Sequence, residues 1–128
     1  MIRICNIREV KKDEYDEVWA IVRSLKSKSP WMTHVPELSP SLDLFFMYNR
    51  MKNDGHWNKT TFETCYRPRF MQQIANDTAA QAKLEELIAK DAAGKRIALF
   101  CFCTDVNLCH RSLISEILRE RGVKHTLT

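Results

Sequence analysis

Three of the chain's five cysteines fall within nine residues, and the last of them stands directly before a histidine and an arginine. The run is KRIALFCFCTDVNLCHRSLISEILRERG, residues 95–122, with Cys101, Cys103, Cys109, His110 and Arg111 as its reactive types. A thiol beside an imidazole or a guanidinium loses its proton more readily, and the thiolate is the nucleophile. Arginine adds a planar donor fork suited to phosphate or carboxylate. The spacing also excludes. A tyrosine-phosphatase loop needs a wider Cys-to-Arg gap than Cys109 offers and a narrower one than Cys103 offers. A zinc site could count Cys101, Cys103, Cys109 and His110 as four ligands. Two strand thiols followed by a helix start are poor tetrahedral geometry, so no metal and no cofactor is expected. A Cys103–Cys109 redox pair is sterically compatible with the loop between them.

These residues need elements to position them. RIALFCFC is apolar without polar alternation, which suits a strand buried on both faces of a parallel sheet. Alternation then puts Cys101 and Cys103 on one face, with Phe100 and Phe102 on the other, and makes Cys103 the last strand residue. CHRSLISEILRERG follows as a helix, with Leu113, Ile114, Ile117 and Leu118 on one face and Gly122 at its end. VKHTLT supplies a last short strand. In open parallel sheets, ligands bind outside the carboxyl ends of strands, where loops lead into helix starts. Free N–H groups at such a start favour anions and depress the pKa of a thiol there. Cys109, His110 and Cys103 are therefore the candidate catalytic residues, with Arg111 as the anion fork. Plain packing competes for each: cysteine is among the most buried residue types, His110 could bond a loop carbonyl, and Arg111 could pair with Asp105 or Glu116.

Upstream, MIRICNI reads as a first strand. After Asp13 as N-cap, Val18, Trp19, Val22 and Leu25 recur at helical spacing, predicting a helix that ends near Lys28 before Pro30. Residues 29–59 read as irregular, with a short helical segment in LDLFFMYNRM capped by Ser41. From Thr60, Phe62, Tyr66, Phe70 and Ile74 predict a second helix, kinked by Pro68. NDTAAQAKLEELIAKDAAG is a clearer helix, capped by Asp77 or Thr78 and closed by Gly94. The fold expected is α/β: a small, mainly parallel sheet with helices on both faces, ending in a strand–helix–strand crossover unit.

With 128 residues, 45% of them hydrophobic and 28% charged, the chain suits one globular domain over residues 1–128. No apolar run approaches the ~18 residues of a membrane span. The N-terminus lacks a signal-peptide core, so a cytoplasmic protein with reduced thiols is expected. The net charge of +4, from 20 basic and 16 acidic residues, is scattered, so nucleic acid is only weakly supported as a partner. Three glycines leave no dinucleotide fingerprint or P-loop.

The segment ALFCFCTDVNLCHRSLISEIL resembles the C-terminal signature of the domain of unknown function 488 (DUF488) family, which includes the YeaO-like proteins: a strand ending in cysteine, an acidic loop, then Cys-His-Arg and a helix. PELSPSLDL resembles the YeaO-like "LAPS" segment, here Leu38, Ser39, Pro40 and Ser41, followed by Trp57, Phe62 and Tyr66. The likeness covers residues 30–122. It departs at Thr104 and Asp105, where the family often carries other residues after the strand cysteine. It implies that the LSPS loop, Trp57, Tyr66 and the Cys-His-Arg start converge on one pocket, with Arg111, Ser39, Ser41, Tyr66, Trp57 and Asp105 as ligand-binding candidates.

Two functions are in contention. One is binding of, and action on, a small anionic ligand such as a nucleotide or phosphometabolite at the Cys-His-Arg start. The other is a non-catalytic interaction module, a protein or nucleic-acid accessory factor with structural cysteines.

Overall fold

The computed structural model describes residues 1–128. Its five strands are β1 (Ile2–Asn6), β2 (Glu17–Ala20), β3 (Thr33–His34), β4 (Ile97–Cys101) and β5 (Thr126–Leu127). They form one sheet of order β3-β2-β4-β1-β5, and every pairing is parallel. β4 is central, and all five of its residues are buried. That is the physical content of its unbroken apolar run: both faces of the strand are covered.

Side-chain alternation sorts the sheet into two layers. Ile2, Ile4, Trp19, Ile97 and Leu99 enter the larger core. Cys5, Val18, Ala20, Ala98 and Phe100 enter a smaller one. The helices are α1 (Leu42–Asn53), α2 (Lys59–Thr61), α3 (Arg67–Asn76), α4 (Thr78–Ala92) and α5 (His110–Glu120). Leu44, Phe70, Ile74, Leu84, Leu87, Leu113 and Ile117 from these helices all join the larger core. The smaller core is covered instead by loop residues such as Val10, Leu25, Trp31 and Met32. The architecture is thus an α/β parallel sheet whose helices gather on one face; the second helical layer of the sequence-based expectation is replaced by loops.

The helix expected after Asp13 is absent. Lys12–Glu14 is one 3-10 turn, and Glu17–Ala20 is β2, paired with β3 and β4. Val18, Trp19, Ala20, Ile21 and Val22 are consecutive buried residues, so their helical spacing is a subset of a continuous run. Burial between two neighbouring strands overrides the period. β3, two residues long, lies inside the stretch read as irregular.

Elsewhere local chemistry prevails. Ser41 caps α1 by accepting from the Leu44 amide at 3.2 Å. Asp77 caps α4, accepting from the Ala79 amide at 2.9 Å. Gly94 leaves α4 with φ +89°, a conformation that costs other residues energy. Pro68 does not produce a simple kink. Residues Phe62–Tyr66 form a π-helical turn before it, in which the Arg67 amide bonds the Phe62 carbonyl. This one-residue bulge lets the chain continue into α3 with Pro68 in its first turn, where a missing N–H costs little. No helix is long and apolar enough to cross a membrane.

Candidate functional site

β4 ends at Cys101, two residues earlier than its apolar run suggests. Phe102 is therefore turned outward, half exposed, and Cys103 lies in the loop. The loop passes through a short 3-10 turn, Val106–Leu108, started by Asp105, whose carboxylate accepts from the Asn107 amide at 3.0 Å. Cys109 is then the N-cap of α5. The geometry folds Cys103 and Cys109 back over the end of β4. The sulfurs of Cys101, Cys103 and Cys109 all lie within 4.8 Å of one another, and Cys101 and Cys109 are 3.2 Å apart. All five cysteines are free thiols. The nearest thiol of Cys109 is thus within contact distance on Cys101, a residue that composition alone assigns to packing.

His110 is buried, and its Nε2 sits 2.7 Å from the Ile21 carbonyl oxygen. A carbonyl only accepts, so Nε2 carries the hydrogen. In the neutral ring Nδ1 is therefore a bare acceptor, and it faces the Cys109 sulfur at 3.6 Å. Phe70 packs against the imidazole with ring centroids 5.8 Å apart, fixing its plane.

The thiols respond unequally. Burial opposes ionisation of Cys109, but hydrogen bonds from the Cys101 and Cys103 thiols and the neighbouring His110 outweigh it and hold Cys109 well below the ordinary thiol value. The cost falls on the neighbours. Cys101 is raised by its bonds to Cys103 and Cys109 and by burial. Cys103 feels a lowering bond from Cys101, yet its bond to Cys109 and its burial push it up to about 12. His110 loses to burial and gains more from Cys109, so its pKa rises. The shifts together favour ionisation at Cys109, which contacts the Cys101 sulfur and the His110 ring.

Arg111 is buried as well, and its fork is already engaged. Nη1 donates to the Thr128 main-chain oxygen and Nη2 to the Cys103 carbonyl, each at 2.8 Å, while Nε has no partner. The guanidinium thus holds the cysteine loop against the last strand. It neither faces a ligand nor pairs with Asp105 or Glu116, the latter being bonded to Arg67. Burial disfavours its charge, but the adjacent Cys101 and Cys109 sulfurs compensate and raise its pKa. A buried cation beside a thiol is an independent reason for that thiol to ionise.

Above the sulfurs opens a cavity of about 500 Å³, walled by 18 residues of which 12 are apolar, so its body suits an uncharged ring or chain. It lies at the carboxyl ends of β2 and β4, as parallel sheets favour. Cys101, Cys103, Cys109 and His110 form one wall, and Tyr66 and Tyr48 another. Arg23 and Lys26 come from the loop after β2. Burial first, then the three thiols, raise the Tyr66 pKa well above the phenol value, so its hydroxyl stays a donor.

The remaining candidates sit around this cavity rather than in it. Trp57 lies behind the wall, edge-on to Tyr48 at 4.7 Å and to Tyr66 at 5.4 Å. Ser39 turns its hydroxyl to the Pro36 carbonyl at 2.6 Å, and Ser41 is a helix cap. Gln73 fastens this loop to α3, accepting from the Ser41 amide at 2.8 Å and donating to the Ser39 carbonyl at 2.9 Å. Of the LSPS segment only Pro40 reaches the cavity. The structure brings together Cys103, Cys109, His110 and Tyr66. It leaves Arg111, Ser39, Ser41, Trp57 and Asp105 to hold the frame. Residues 22–27 were missed as wall residues because they were read as helix; the polar RSLKSKS run after five apolar residues is the signal of a loop leaving a strand.

Residues 2–122 match the family described as DUF488-N3a, the active DUF488-N3 subclade. The chain belongs to the DUF488 family. Neither the curated proteins nor the solved structures yield a match to it. Within this DUF488 domain, the strand cysteine, the Cys-His-Arg helix start and the cavity between them are the features with chemistry to offer.

Proposed function

We propose that this domain binds a small molecule with a flat apolar body and an anionic end, a nucleotide-like ligand, and attacks it with Cys109. The observation that carries the reading is the Cys109–His110 pair at the cavity wall, with Nδ1 directed at the sulfur because Nε2 is committed to Ile21. Cys109 would act as the thiolate nucleophile and His110 as the group that takes its proton and returns it to the leaving group. Tyr66 and Tyr48 offer ring faces and a phenol donor. With the Arg111 fork engaged elsewhere, the anion contact falls to Arg23 and Lys26. The family's description as an active subclade supports a chemical rather than a purely structural role.

Thiol mapping tests it. Treating the metal-free, reduced protein with iodoacetamide at neutral pH should label Cys109 before Cys5, Cys65, Cys101 and Cys103. His110→Ala should slow that labelling, because the imidazole that favours the Cys109 thiolate is gone. Nucleoside monophosphates should slow it in the wild type. Uniform protection of all thiols would favour the non-catalytic interaction module instead.

A further inference from the structure

The three-sulfur cluster has more ligand atoms than a nucleophile needs. Cys101, Cys103 and Cys109 present three sulfurs within 4.8 Å of one another. His110 adds a ring nitrogen 3.6 Å from one of them. In a tetrahedral zinc site with bonds of about 2.3 Å to sulfur and 2.0 Å to nitrogen, neighbouring sulfurs lie about 3.8 Å apart and a sulfur–nitrogen edge is about 3.5 Å. The Cys109–His110 edge is already at that spacing. His110 lies outside the group of atoms within 4.8 Å of one another, so its ring nitrogen has to close on the other two sulfurs as the ion binds. The 3.2 Å between Cys101 and Cys109 has to open by roughly half an ångström, and Cys103, carried on a loop and only half buried, can follow.

We propose that these four residues form a Cys₃His site for a thiophilic divalent cation of the zinc class. Three features beyond the clustering point to it. The first is the tautomer. A metal-binding histidine commonly donates its other ring N–H to a carbonyl, and His110 does so to Ile21 at 2.7 Å. The second is charge. Three thiolates and a divalent cation leave one net negative charge, and the buried Arg111 guanidinium, with its Nε unpartnered, supplies the matching positive one. A monovalent ion would leave a further negative charge unpaired. The third is access, since all four ligands line the cavity and the ion has a route in. The sequence argument against a metal assumed two thiols on one straight strand. The early end of β4 removes that objection, because Cys103 leaves the strand line and turns back.

This site does not depend on the proposed attack by Cys109, and the two exclude each other at any moment because they use the same sulfur. An occupied site therefore shields the nucleophile.

The test titrates reduced, metal-free protein with Cd²⁺, whose bonds to thiolates give an ultraviolet charge-transfer band, and with Zn²⁺ against a chromophoric chelator. The expected result is saturation at one equivalent, with a band intensity of three thiolates. Cys103→Ser, at a half-buried loop position that spares the core, should cut the band by about one third and weaken Zn²⁺ binding about tenfold or more. Cys65→Ser, outside the cluster, should change neither. One equivalent of Zn²⁺ should also abolish iodoacetamide labelling of Cys109. Absence of saturable binding in a folded wild type, or a band unchanged in Cys103→Ser, overturns the site. The labelling rate of the ion-free protein reads the nucleophile reading separately, so either can fail alone.

Discussion

Arg111 shows how far a side chain's chemistry depends on what already surrounds it. A guanidinium at a helix start suggests an anion receptor, yet here both Nη groups are spent on the carbonyls of Cys103 and Thr128. Its task is to fix the loop that places Cys103 and to lend charge to Cys109. Arg111→Met keeps bulk but strands two acceptors, so it should destabilise the fold by about 2–4 kcal/mol in urea unfolding, with Cys109 labelling also slowed. Arg111→Lys should not rescue it, because a single ammonium lacks the fork that spans two carbonyls. An Arg111→Lys protein as stable as wild type would show that the fork geometry is irrelevant. His110 makes the complementary point. Two bonds, one to a carbonyl and one to a sulfur, assign its tautomer without any appeal to function.

Among the elements, caps and breaks were readable because they are local. Asp77 bonds the amides of its own helix, so its role needs only neighbouring residues. Asp77→Ala should cost about 1 kcal/mol, seen as a lower unfolding midpoint with unchanged Cys109 labelling. A change in labelling would mean that α4 positions the site, although it contributes no residue to the cavity wall. The π turn at Phe62–Tyr66 is different. Pro68 announces a disturbance, but whether the helix kinks or bulges depends on what its side chains must pack against. The bulge keeps Phe62, Tyr66 and Phe70 all buried, with Tyr66 stacked on both neighbours at 5.6 and 6.1 Å. It also delivers Tyr66 to the cavity.

At the scale of the molecule, the sheet's last edge is held by contacts between distant parts of the chain. The Thr128 amide bonds the Ile4 carbonyl, and the Thr128 hydroxyl donates to Glu9, which also pairs with Arg3. The Thr128 hydroxyl is the largest influence holding Glu9 below its ordinary value of 4.5. A carboxylate depressed in the folded state contributes stability that is full above the unfolded value and is lost as pH falls through the folded one. Hydrogen exchange at the Thr128 amide should therefore accelerate as pH drops below about 4.5, beyond the intrinsic pH trend. Glu9→Gln should abolish that dependence. If both proteins show the same profile, the latch is not Glu9. Because Arg111 bonds the same terminal residue, loosening this edge should also loosen the Cys103 loop.

The amino-acid order alone was enough for the parallel α/β class, a buried strand within residues 96–103, the cap at Ser41 and one at Asp77 or Thr78, and the Cys-His-Arg helix start. Each follows from hydrophobic period or from bonds between near neighbours. β2 was misread because a continuous buried run contains a helical subset, and only the pairing of Glu17–Ala20 between two other strands removes the ambiguity. Likewise the sequence placed cysteines near one another but could not say which sulfurs meet. That depends on where β4 stops and how the loop returns, a balance of sheet pairing, the Arg111 bonds and loop packing that involves residues far apart in the chain. The chemistry of this site is carried by residue types, and its geometry by long-range contacts that no local pattern encodes.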